Sequence, residues 1–283
     1  MAVVSREMAR DETWPARLAL RLARRGEGTV LVDRRHHGPL RVQRPFYPEG
    51  KEVCHVYVLH PPGGFVSGDD LEMHIQVDPE AWGLITTPGA GKFYRHGGGL
   101  PASQTQLLAV AAGGTLEWLP QESIFYNGAH ARMLTRVEVA EGANFIGWDI
   151  TCLGRPASDE ALIRCQIRQR FELWRENTPL WVERSRYSDH CAVVDAKWGL
   201  EGQCVVGTLV CTNRQRRVVD DIRREVSAAG AALFSVTQLD EVLVCRYLGT
   251  QAREARACLG EAWRLLRRAV LGREAMAPRI WMT

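Results

Sequence analysis

The feature that most constrains the fold of this chain is an alternation of apolar and polar residues with a period of two. In residues 14–22, the side chains of Leu18, Leu20 and Leu22 would share one face of a strand. Short alternating segments bounded by glycine and proline predict many β-strands, and the lack of a β–α–β rhythm argues against a Rossmann or barrel enzyme. The other alternating segments are residues 52–59, 105–112, 115–120, 132–139 and 161–174.

Two segments near the C-terminus show helical spacing instead. In residues 214–230, apolar side chains recur every three or four positions, and Gly230 is placed to end the helix. Residues 250–270 have an apolar face and an arginine-rich face. The predicted fold is therefore mainly β: a single β-rich, multi-stranded domain over residues 1–283, with two α-helices near the C-terminus. We expect these helices to cover an open sheet, and docking of a partner by either helix is the second interpretation.

The composition excludes several broad classes. Hydrophobic residues make up 46% and charged residues 24% of the 283, as in ordinary globular proteins. No apolar run approaches the length of a membrane span, and residues 1–14 contain acidic residues and lack the apolar stretch of a secretory signal. A net charge of +3 is too small to indicate nucleic acid as a partner. We expect a cytoplasmic protein with neither a membrane nor a nucleic-acid partner.

One glycine-rich stretch, Thr86 to Arg95 (TTPGAGKFYR), looks like the end of a phosphate-binding loop. A P-loop needs an early glycine and a hydroxyl after the lysine, but those positions hold Thr86 and Phe93. The next residues contain three glycines and a proline, so no helix N-terminus follows to receive a phosphate. The stretch is predicted to be a turn that joins two strands.

The usual sequence patterns of catalytic and metal sites are absent. The eight cysteines include no C-x-x-C pair, which argues against a zinc ribbon or a thioredoxin-like motif. Most of them lie in apolar contexts, where reduced thiols behave as small core residues. The chain also has no H-E-x-x-H or G-x-S-x-G sequence.

The remaining candidates for a functional site are acidic residues in apolar or glycine-rich surroundings. Asp69 and Asp70 follow the stretch HPPGGFVSG, Asp149 lies in FIGWDITCLG, and Glu183 lies in PLWVERSRY. A carboxylate in such a strand is costly to bury without a partner. Each is therefore a structural ion pair, a general acid or base, or an oxygen ligand for a divalent metal. The arginines considered as structural partners are Arg155, Arg184 and Arg186.

Eight motifs, taken in order, resemble one family over nearly the whole chain: the urease accessory protein UreD, called UreH in some organisms. The motifs HPPGG, TTPGA-x-KFYR and LEWLPQE are the most specific of these. The chain departs from the usual family pattern at Ser67, Gly91 and His96, where a glycine, a threonine and a serine are common. The motifs occupy residues 38–50, 55–71, 84–95, 116–129, 145–155, 179–184, 244–249 and 278–283.

The resemblance implies a β-rich scaffold with two helices and no enzymatic chemistry of its own. Such a protein would bind apo-urease on one side and the helical accessory protein UreF on the other. Through UreF it would recruit the GTPase UreG, whose GTP hydrolysis drives nickel into urease. The resemblance therefore implies no permanently bound cofactor: GTP would be bound by the partner GTPase, and Ni²⁺ would be bound only transiently.

The family is also thought to conduct nickel through an internal passage, which would give the acidic residues a function. A conduit has to bind the ion weakly and at several places, and spaced single carboxylates meet that need better than a His/Cys cluster. We therefore expect Asp70, Asp149 and Glu183 to line the passage. Weaker candidates are Asp69, Glu72 and His60.

Two competing hypotheses remain open from the sequence. The chain would be a β-rich metal-dependent hydrolase if Asp70, Asp149 and Glu183 were metal ligands or an acid/base pair. Alternatively, it would be a structural adaptor with the same partners and no ion passage. Independently of these, the terminal PRIWMT (residues 278–283) is too apolar for a free tail and is predicted to pack against the domain or a partner.

Overall fold

A computed structural model describes residues 13–158, 160–212 and 215–282, and most of these residues are in β-strands. The strands of the first half are β1 (Trp14–Arg25), β2 (Gly28–His37), β3 (Arg41–Val42), β4 (Val53–Leu59), β5 (Asp69–Val77), β6 (Trp82–Thr86), β7 (Gly91–Phe93), β8 (Ala102–Val110), β9 (Thr115–Leu119) and β10 (Ser123–Phe125). The remaining strands are β11 (Ala129–Val139), β12 (Asn144–Arg155), β13 (Glu160–Ala161), β14 (Cys165–Arg175), β15 (Thr178–Ser188), β16 (Val205–Thr212), β17 (Leu233–Leu239) and β18 (Val242–Gly249).

Three α-helices interrupt or follow these strands. They are α1 (Ala192–Asp195), α2 (Arg217–Glu225) and α3 (Ala252–Leu271), and short 3₁₀ turns span Pro156–Ser158 and Arg279–Met282. None of the helices in the described ranges is long and apolar enough to cross a membrane. The mainly β fold class with helices near the C-terminus is confirmed.

The strands form two sheets. The first sheet has seven strands in the order β15-β14-β11-β8-β5-β1-β2. The second sheet follows the order β17-β18-β16-β12-β9-β6-β4-β3, with the short strands β7, β10 and β13 attached beside β12. Between β4 and β14, the long strands alternate between the two sheets, and neighbours within each sheet run parallel. Parallel strands need a crossover connection, which is commonly a helix. Here the crossover is a strand of the opposite sheet.

The corners of these successive turns of chain stack on one another. Residues 78–81, 111–114 and 140–143 each close a tight turn, and the third residue of each turn has a positive φ: Glu80 at 58°, Gly113 at 71° and Gly142 at 74°. Positive φ at this place is typical of type II turns and favours glycine. Backbone hydrogen bonds tie each corner to the next, from Thr115 N–H to Ala81 O and from Asn144 N–H to Gly114 O, at 2.8 and 2.9 Å. The corners therefore fix the two sheets in register.

Two apolar cores divide the molecule into three layers. The first core lies between the sheets and includes Leu18, Leu20 and Leu22, as the alternation predicts. The second core lies between the other face of the second sheet and the helices α2 and α3. The prediction that late helices cover a sheet is confirmed.

The helix boundaries agree with the prediction for α3, whereas α2 (Arg217–Glu225) is shorter than predicted at both ends. Helix α3 lies within two residues of the predicted span at each end. Helix α2 ends at Glu225 rather than at Gly230, because Val226 is already extended although its side chain is buried. The predicted start of that helix, Arg214, lies outside the described residues.

Candidate functional site

The glycine-rich stretch after Thr86 contains a short strand and no helix. Strand β7 pairs in parallel with β10, and the Gly91 N–H donates to the carbonyl of Glu122 at 2.9 Å. The Phe93 ring stacks between the rings of Phe65 and Phe125, with centroid distances of 4.2 and 4.7 Å. The stretch therefore joins strands, as predicted, and offers no helix N-terminus to a phosphate.

The HPPGG loop lies against this strand. A Cβ at Gly64 would come within 2.3 Å of the Tyr94 ring and 2.8 Å of the Lys92 carbonyl oxygen, so only glycine fits there. Two of the positions where the chain departs from the usual family pattern contact one another: Ser67 Oγ lies 2.9 Å from His96 Nδ1. The two residues that depart from the family pattern, Ser67 and His96, are therefore in direct contact.

A cavity of about 300 Å³ opens beside these loops and runs between the two sheets. His60, Gly63 and residues 87–92 surround its outer end, and Asp149 lies among the residues that line it. The first sheet contributes the polar side chains of Gln104, Gln106 and Thr135, and the second sheet contributes two tryptophans. Trp118 belongs to the core between the sheets, whereas Trp148 packs in the core on the helix side of the second sheet.

A second, smaller cavity of about 20 Å³ also has Asp149 in its wall. Its volume is close to that of a single water molecule. Polar side chains of both sheets surround it: Asp149, Thr151, Gln169, Glu183, Ser185, Tyr187 and Thr208. Asp149 therefore lies where the two cavities meet.

The carboxyl group of Asp149 has few partners. Gln169 Nε2 lies 3.5 Å from Asp149 Oδ2 and donates at 2.8 Å to Thr151 Oγ1. Burial, and then the negative charge of Glu183, raise the pKa of Asp149 to about 6. A carboxyl group with this pKa changes its charge near neutral pH, so its affinity for a cation varies over the physiological range.

Glu183 marks the far side of the smaller cavity. It accepts a hydrogen bond from Thr208 Oγ1 at 3.1 Å and forms an ion pair with Arg246. The strands β15 and β18, which carry this pair, belong to different sheets, and the Arg246 side chain is 51% exposed. The row of cavities therefore ends at the protein surface beside Arg246.

The structure does not bring Asp70 and Glu72 to these cavities. Both lie on the outer face of the first sheet, where Arg17 Nη2 donates to Asp70 Oδ2 at 2.6 Å and Arg17 Nε lies 3.2 Å from Glu72 Oε2. Burial acts to raise the pKa of Asp70, but hydrogen bonds from Arg17 and Ser103 outweigh it and lower that pKa. Both carboxylates are therefore structural ion pairs here.

Asp69 and His60 have different surroundings. Asp69 points inward and accepts a hydrogen bond from the Val66 N–H at 2.8 Å, so it holds the loop that carries HPPGG. Burial raises the pKa of Asp69 against that hydrogen bond. His60 lines the larger cavity, its ring lies 5.0 Å from the Phe65 ring, and burial lowers its pKa. Of the six predicted residues, the cavities bring together His60, Asp149 and Glu183.

Several neutral polar residues of the cavities escaped the sequence analysis. Gln106 accepts a hydrogen bond from Thr135 Oγ1 at 2.6 Å, and Gln169 connects Thr151 to Asp149. A signal was present in the alternation, because Gln106 and Gln169 occupy inward positions that are otherwise apolar on their strands.

A buried charge cluster fixes helix α3 to the second sheet. Arg267, fully buried, lies 2.7 Å from Glu49 Oε2 through Nη1 and 3.1 Å from Glu117 Oε2 through Nε. The indole N–H groups of Trp82 and Trp263 donate to Glu117 at 2.7 and 2.6 Å. Glu117, the first of the two glutamates in the LEWLPQE motif, is therefore an anchor for the helix.

The protonation of this cluster follows from its partners. Burial raises the pKa of Glu117 even though Arg267 lies beside it. Burial also acts to raise the pKa of Glu49, but hydrogen bonds from His55 and Arg267 outweigh it, so that pKa is lowered. The cluster holds helix α3 on the second sheet, and its residues do not line the two cavities.

The terminal segment packs against the domain, as predicted. The Trp281 indole N–H donates to Thr86 Oγ1 at 2.8 Å, and the Trp281 ring lies 5.5 and 5.9 Å from the rings of Trp148 and Trp263. Trp148 also lines the larger cavity, so the tail supports one of its walls.

A tight metal site does not form among the described residues. No group of three or more histidine, cysteine, aspartate and glutamate side chains comes together there in a way that could hold a metal ion. The eight cysteines are free thiols, and six of them are buried. An ion would therefore meet Asp149 alone in the larger cavity and no more than Asp149 and Glu183 in the smaller one.

Comparison with known proteins gives a consistent result. The profile of the family described as UreD urease accessory protein matches residues 15–282. The chain is 46% identical over 273 residues to a urease accessory protein UreD from Pseudomonas fluorescens, with 96% of each chain covered. It is 43% identical over 277 residues to one from Dechloromonas aromatica, with 96% of this chain and 95% of the relative covered. It is 41% identical over 284 residues to one from Alcanivorax borkumensis, with 99% and 96% covered.

Proposed function

This chain belongs to the UreD family of urease accessory proteins, and from that premise we propose that it is a non-enzymatic scaffold for the insertion of nickel into apo-urease. Family membership supports a role in urease maturation. In the proposal, the chain bridges apo-urease to the accessory proteins UreF and UreG. UreG binds and hydrolyses the GTP, and this chain conducts Ni²⁺ as cargo.

The observation that carries the conduction step is the row of two cavities that share Asp149. The first runs from His60 and the glycine loops to Asp149, and the second runs from Asp149 to Glu183. Imidazole and carboxylate oxygen are both ligands that Ni²⁺ accepts. His60, Asp149 and Glu183 would thus offer three successive stations for the ion.

Weak binding at each station is what a conduit requires. A site with three or four charged ligands would hold the ion, whereas single ligands let it exchange. The neutral oxygens of Gln106, Thr135 and Thr151 line the space between the stations and replace part of the ion's water shell without adding charge. The absence of a His/Cys/Asp/Glu cluster among the described residues fits this role.

The narrow second cavity makes the step from Asp149 to Glu183 the demanding one. A space of about 20 Å³ holds roughly one water, so a fully hydrated ion does not fit. The ion would exchange water for the oxygens of Gln169, Thr151 and Thr208 during this step. We therefore place the rate-limiting transfer between the two carboxylates.

Reconstitution of urease tests the proposal. Apo-urease and its other accessory proteins are produced with and without this chain, and urease activity and bound nickel are measured. We expect both only when the chain is present. In the double variant Asp149→Asn, Glu183→Gln, activity and nickel should fall at least about fivefold at limiting Ni²⁺, since each station loses its charge.

The control for this variant is Asp70→Asn, which removes a carboxylate from the outer sheet face. It should leave activation unchanged. If the double variant activates urease as well as the wild type does, the ion-passage hypothesis is wrong and the structural-adaptor hypothesis stands. Activation that does not need the chain would contradict the scaffold function itself.

The geometry does not favour the metal-dependent hydrolase. That hypothesis needs Asp70, Asp149 and Glu183 in one site, but Asp70 is held by Arg17 and Ser103 on the outer face of the first sheet. Asp149 and Glu183 lie between the sheets. The three carboxylates do not converge on one ion.

A further inference from the structure

The outer face of the first sheet carries an uncompensated group of arginines on three adjacent strands. Arg132 on β11 pairs in register with Arg168 on β14, which pairs with Arg186 on β15. Arg184, two residues before Arg186 and on the same face of β15, is paired with Arg170. We call Arg132, Arg168, Arg184 and Arg186 the arginine face.

This arrangement is unfavourable for the isolated fold. Side chains paired across neighbouring strands lie about 5 Å apart at Cβ, and like charges there repel. Arg170 is neutralised by Glu172, but no described carboxylate lies within 4.0 Å of the four residues of the arginine face. The four side chains are exposed. Something outside the described residues would therefore have to supply the negative charge.

The other half of the same sheet shows what a compensated surface looks like. Arg17 is paired with Asp70 and Glu72, Arg21 with Asp78 at 2.8 Å, and Arg35 with Asp33 at 3.0 Å. These three arginines each have a carboxylate partner, whereas none of the four residues of the arginine face has one among the described residues.

The arginine face surrounds a shallow cleft of about 300 Å³. Arg132, Arg168 and Arg186 line it together with the polar side chains of His130 and Ser188. Asp189 also lines the cleft, and its Oδ1 accepts a hydrogen bond from the Cys165 N–H at 2.7 Å. Burial, the nearby His96, and then Arg132 and Arg168 lower the pKa of His130, as a positive local field requires. Three guanidinium groups and a single carboxylate, that of Asp189, line the cleft, so its net positive charge favours carboxylate ligands.

We propose that the arginine face is a docking surface for a protein partner that presents a cluster of aspartate and glutamate side chains. The proposal rests on the proposed function, because it assigns this surface to a partner in the urease-activating assembly. Guanidinium forks match carboxylates bidentately, and rows spaced by the strand separation of about 4.8 Å suit several of them at once.

A nucleic acid fits this face less well than a protein. A long polyanion laid across the sheet would meet the neutral Ser103 and Thr105 on β8 and then Asp70 and Glu72 on β5. Single strands also need aromatic rings for stacking. The Trp174 indole on the same face of β14 is already covered by a guanidinium, that of Arg136, at 4.3 Å.

The test compares two matched double variants of the full chain. Arg168→Thr, Arg186→Thr removes two charges from the arginine face, and Arg21→Thr, Arg35→Thr removes two from the compensated half. Binding of each immobilised chain to purified apo-urease and, separately, to its co-produced accessory proteins is measured between about 50 and 300 mM salt. We expect the first variant to lose about tenfold in affinity for one of these proteins and much of its salt dependence. The control should retain both.

Folding is checked by thermal melting. Because the first variant removes like-charge neighbours, its Tm should match or exceed that of the wild type. A second variant, Arg168→Glu, places a carboxylate between Arg132 and Arg186, so it should fold and bind at least as weakly as the threonine pair.

Three results would overturn the proposal. The first is unchanged affinity for all of these proteins in both arginine-face variants. The second is an equal loss in the control variant. The third is binding of inorganic phosphate or single-stranded RNA through Arg168 and Arg186 while the protein affinities stay unchanged. The proposed function is tested by a different experiment, the reconstitution of urease with and without the chain. Its outcome does not depend on the binding measurements.

Discussion

Asp149 shows how one buried carboxyl group ties stability to pH. Its pKa is raised to about 6 from a usual value near 3.8, chiefly by burial. An acid with a raised folded-state pKa binds its proton more tightly in the folded state. Its contribution to stability is therefore greatest below about pH 4 and declines as the pH rises to about 6. At neutral pH the charged group costs free energy, which is common at sites kept for function.

The variant Asp149→Asn should accordingly be more stable than the wild type at pH 7.5, by about 1–3 kcal/mol. The difference should shrink towards zero near pH 4, where the wild-type carboxyl group is protonated. Urea unfolding at both pH values measures it, with Asp70→Asn as the control. Asp70 has a lowered pKa, so its variant should lose stability at pH 7.5. Equal stability of Asp149→Asn and wild type at both pH values would contradict the raised pKa.

The sides of the sheet on which the acidic residues lie were partly accessible from the sequence. On β5, Leu71 and Met73 share a face with Asp69, so parity places Asp69 inward and Asp70 outward. On β12, nearly every residue is buried on both faces, and parity says nothing about Asp149. Asp149 and Glu183 belong to different sheets and face one cavity, and residue order alone does not show which strands face each other.

At the scale of the elements, helix α3 was the most predictable and has the most demanding attachment. Its long amphipathic repeat and Gly272 at its C-terminus define its ends. Its burial depends on Arg267, which faces Glu49 and Glu117 inside the protein. An arginine in an amphipathic helix is expected on the exposed face. The spacing of apolar residues in α3 therefore did not indicate that Arg267 is buried in a charge cluster.

Replacement of that arginine should be severe. Arg267→Met leaves Glu117 buried without a cation and leaves Glu49 with only the more distant Arg273, whose Nε lies 3.7 Å from Glu49 Oε2. The free energy of unfolding should fall by about 3–5 kcal/mol. The adjacent Arg268→Met is the matched control, because the Arg268–Glu274 pair is exposed and should contribute less than about 1 kcal/mol. Urea unfolding of both variants measures the difference. Similar losses in the two would show that the buried cluster does not hold the helix.

The strands themselves were well indicated, whereas their partners were not. Alternation identifies a strand from its own residues. The residues that pair between β5 and β8, and between β8 and β11, lie about 30 positions apart in the sequence. The corners that set this pairing read Asp-Pro-Glu-Ala, Ala-Ala-Gly-Gly and Ala-Glu-Gly-Ala. The three corners share a backbone conformation but almost no sequence, so the structural repeat cannot be detected as a sequence repeat.

At the scale of the whole molecule, the C-terminal tail links the helices to the cavity wall. Trp281 contacts Trp148 and Trp263 and donates to Thr86. Deletion of residues 280–283 removes this indole, so solubility or the yield of the complex with urease and its accessory proteins should fall. Size-exclusion chromatography of co-produced complexes measures it.

A shorter deletion provides the control. Removal of residues 282–283 keeps Trp281 in place and takes away a methionine side chain that is 79% exposed. It should leave the complex yield unchanged. If the longer deletion is equally harmless, the tail contributes nothing to the assembly.

The late position of Arg267 has a consequence for synthesis on the ribosome. Glu49 and Glu117 emerge about 150 to 220 residues before their cation does. Until then, the nascent chain has a bare apolar sheet surface and two acidic groups without their guanidinium. Translation that stops before this helix is complete yields a fragment with an exposed apolar sheet surface and unneutralised carboxylates. Such a fragment is prone to aggregation, and chaperones and proteases would act on it. Completion of helix α3 thus decides whether the preceding sheet surface is covered.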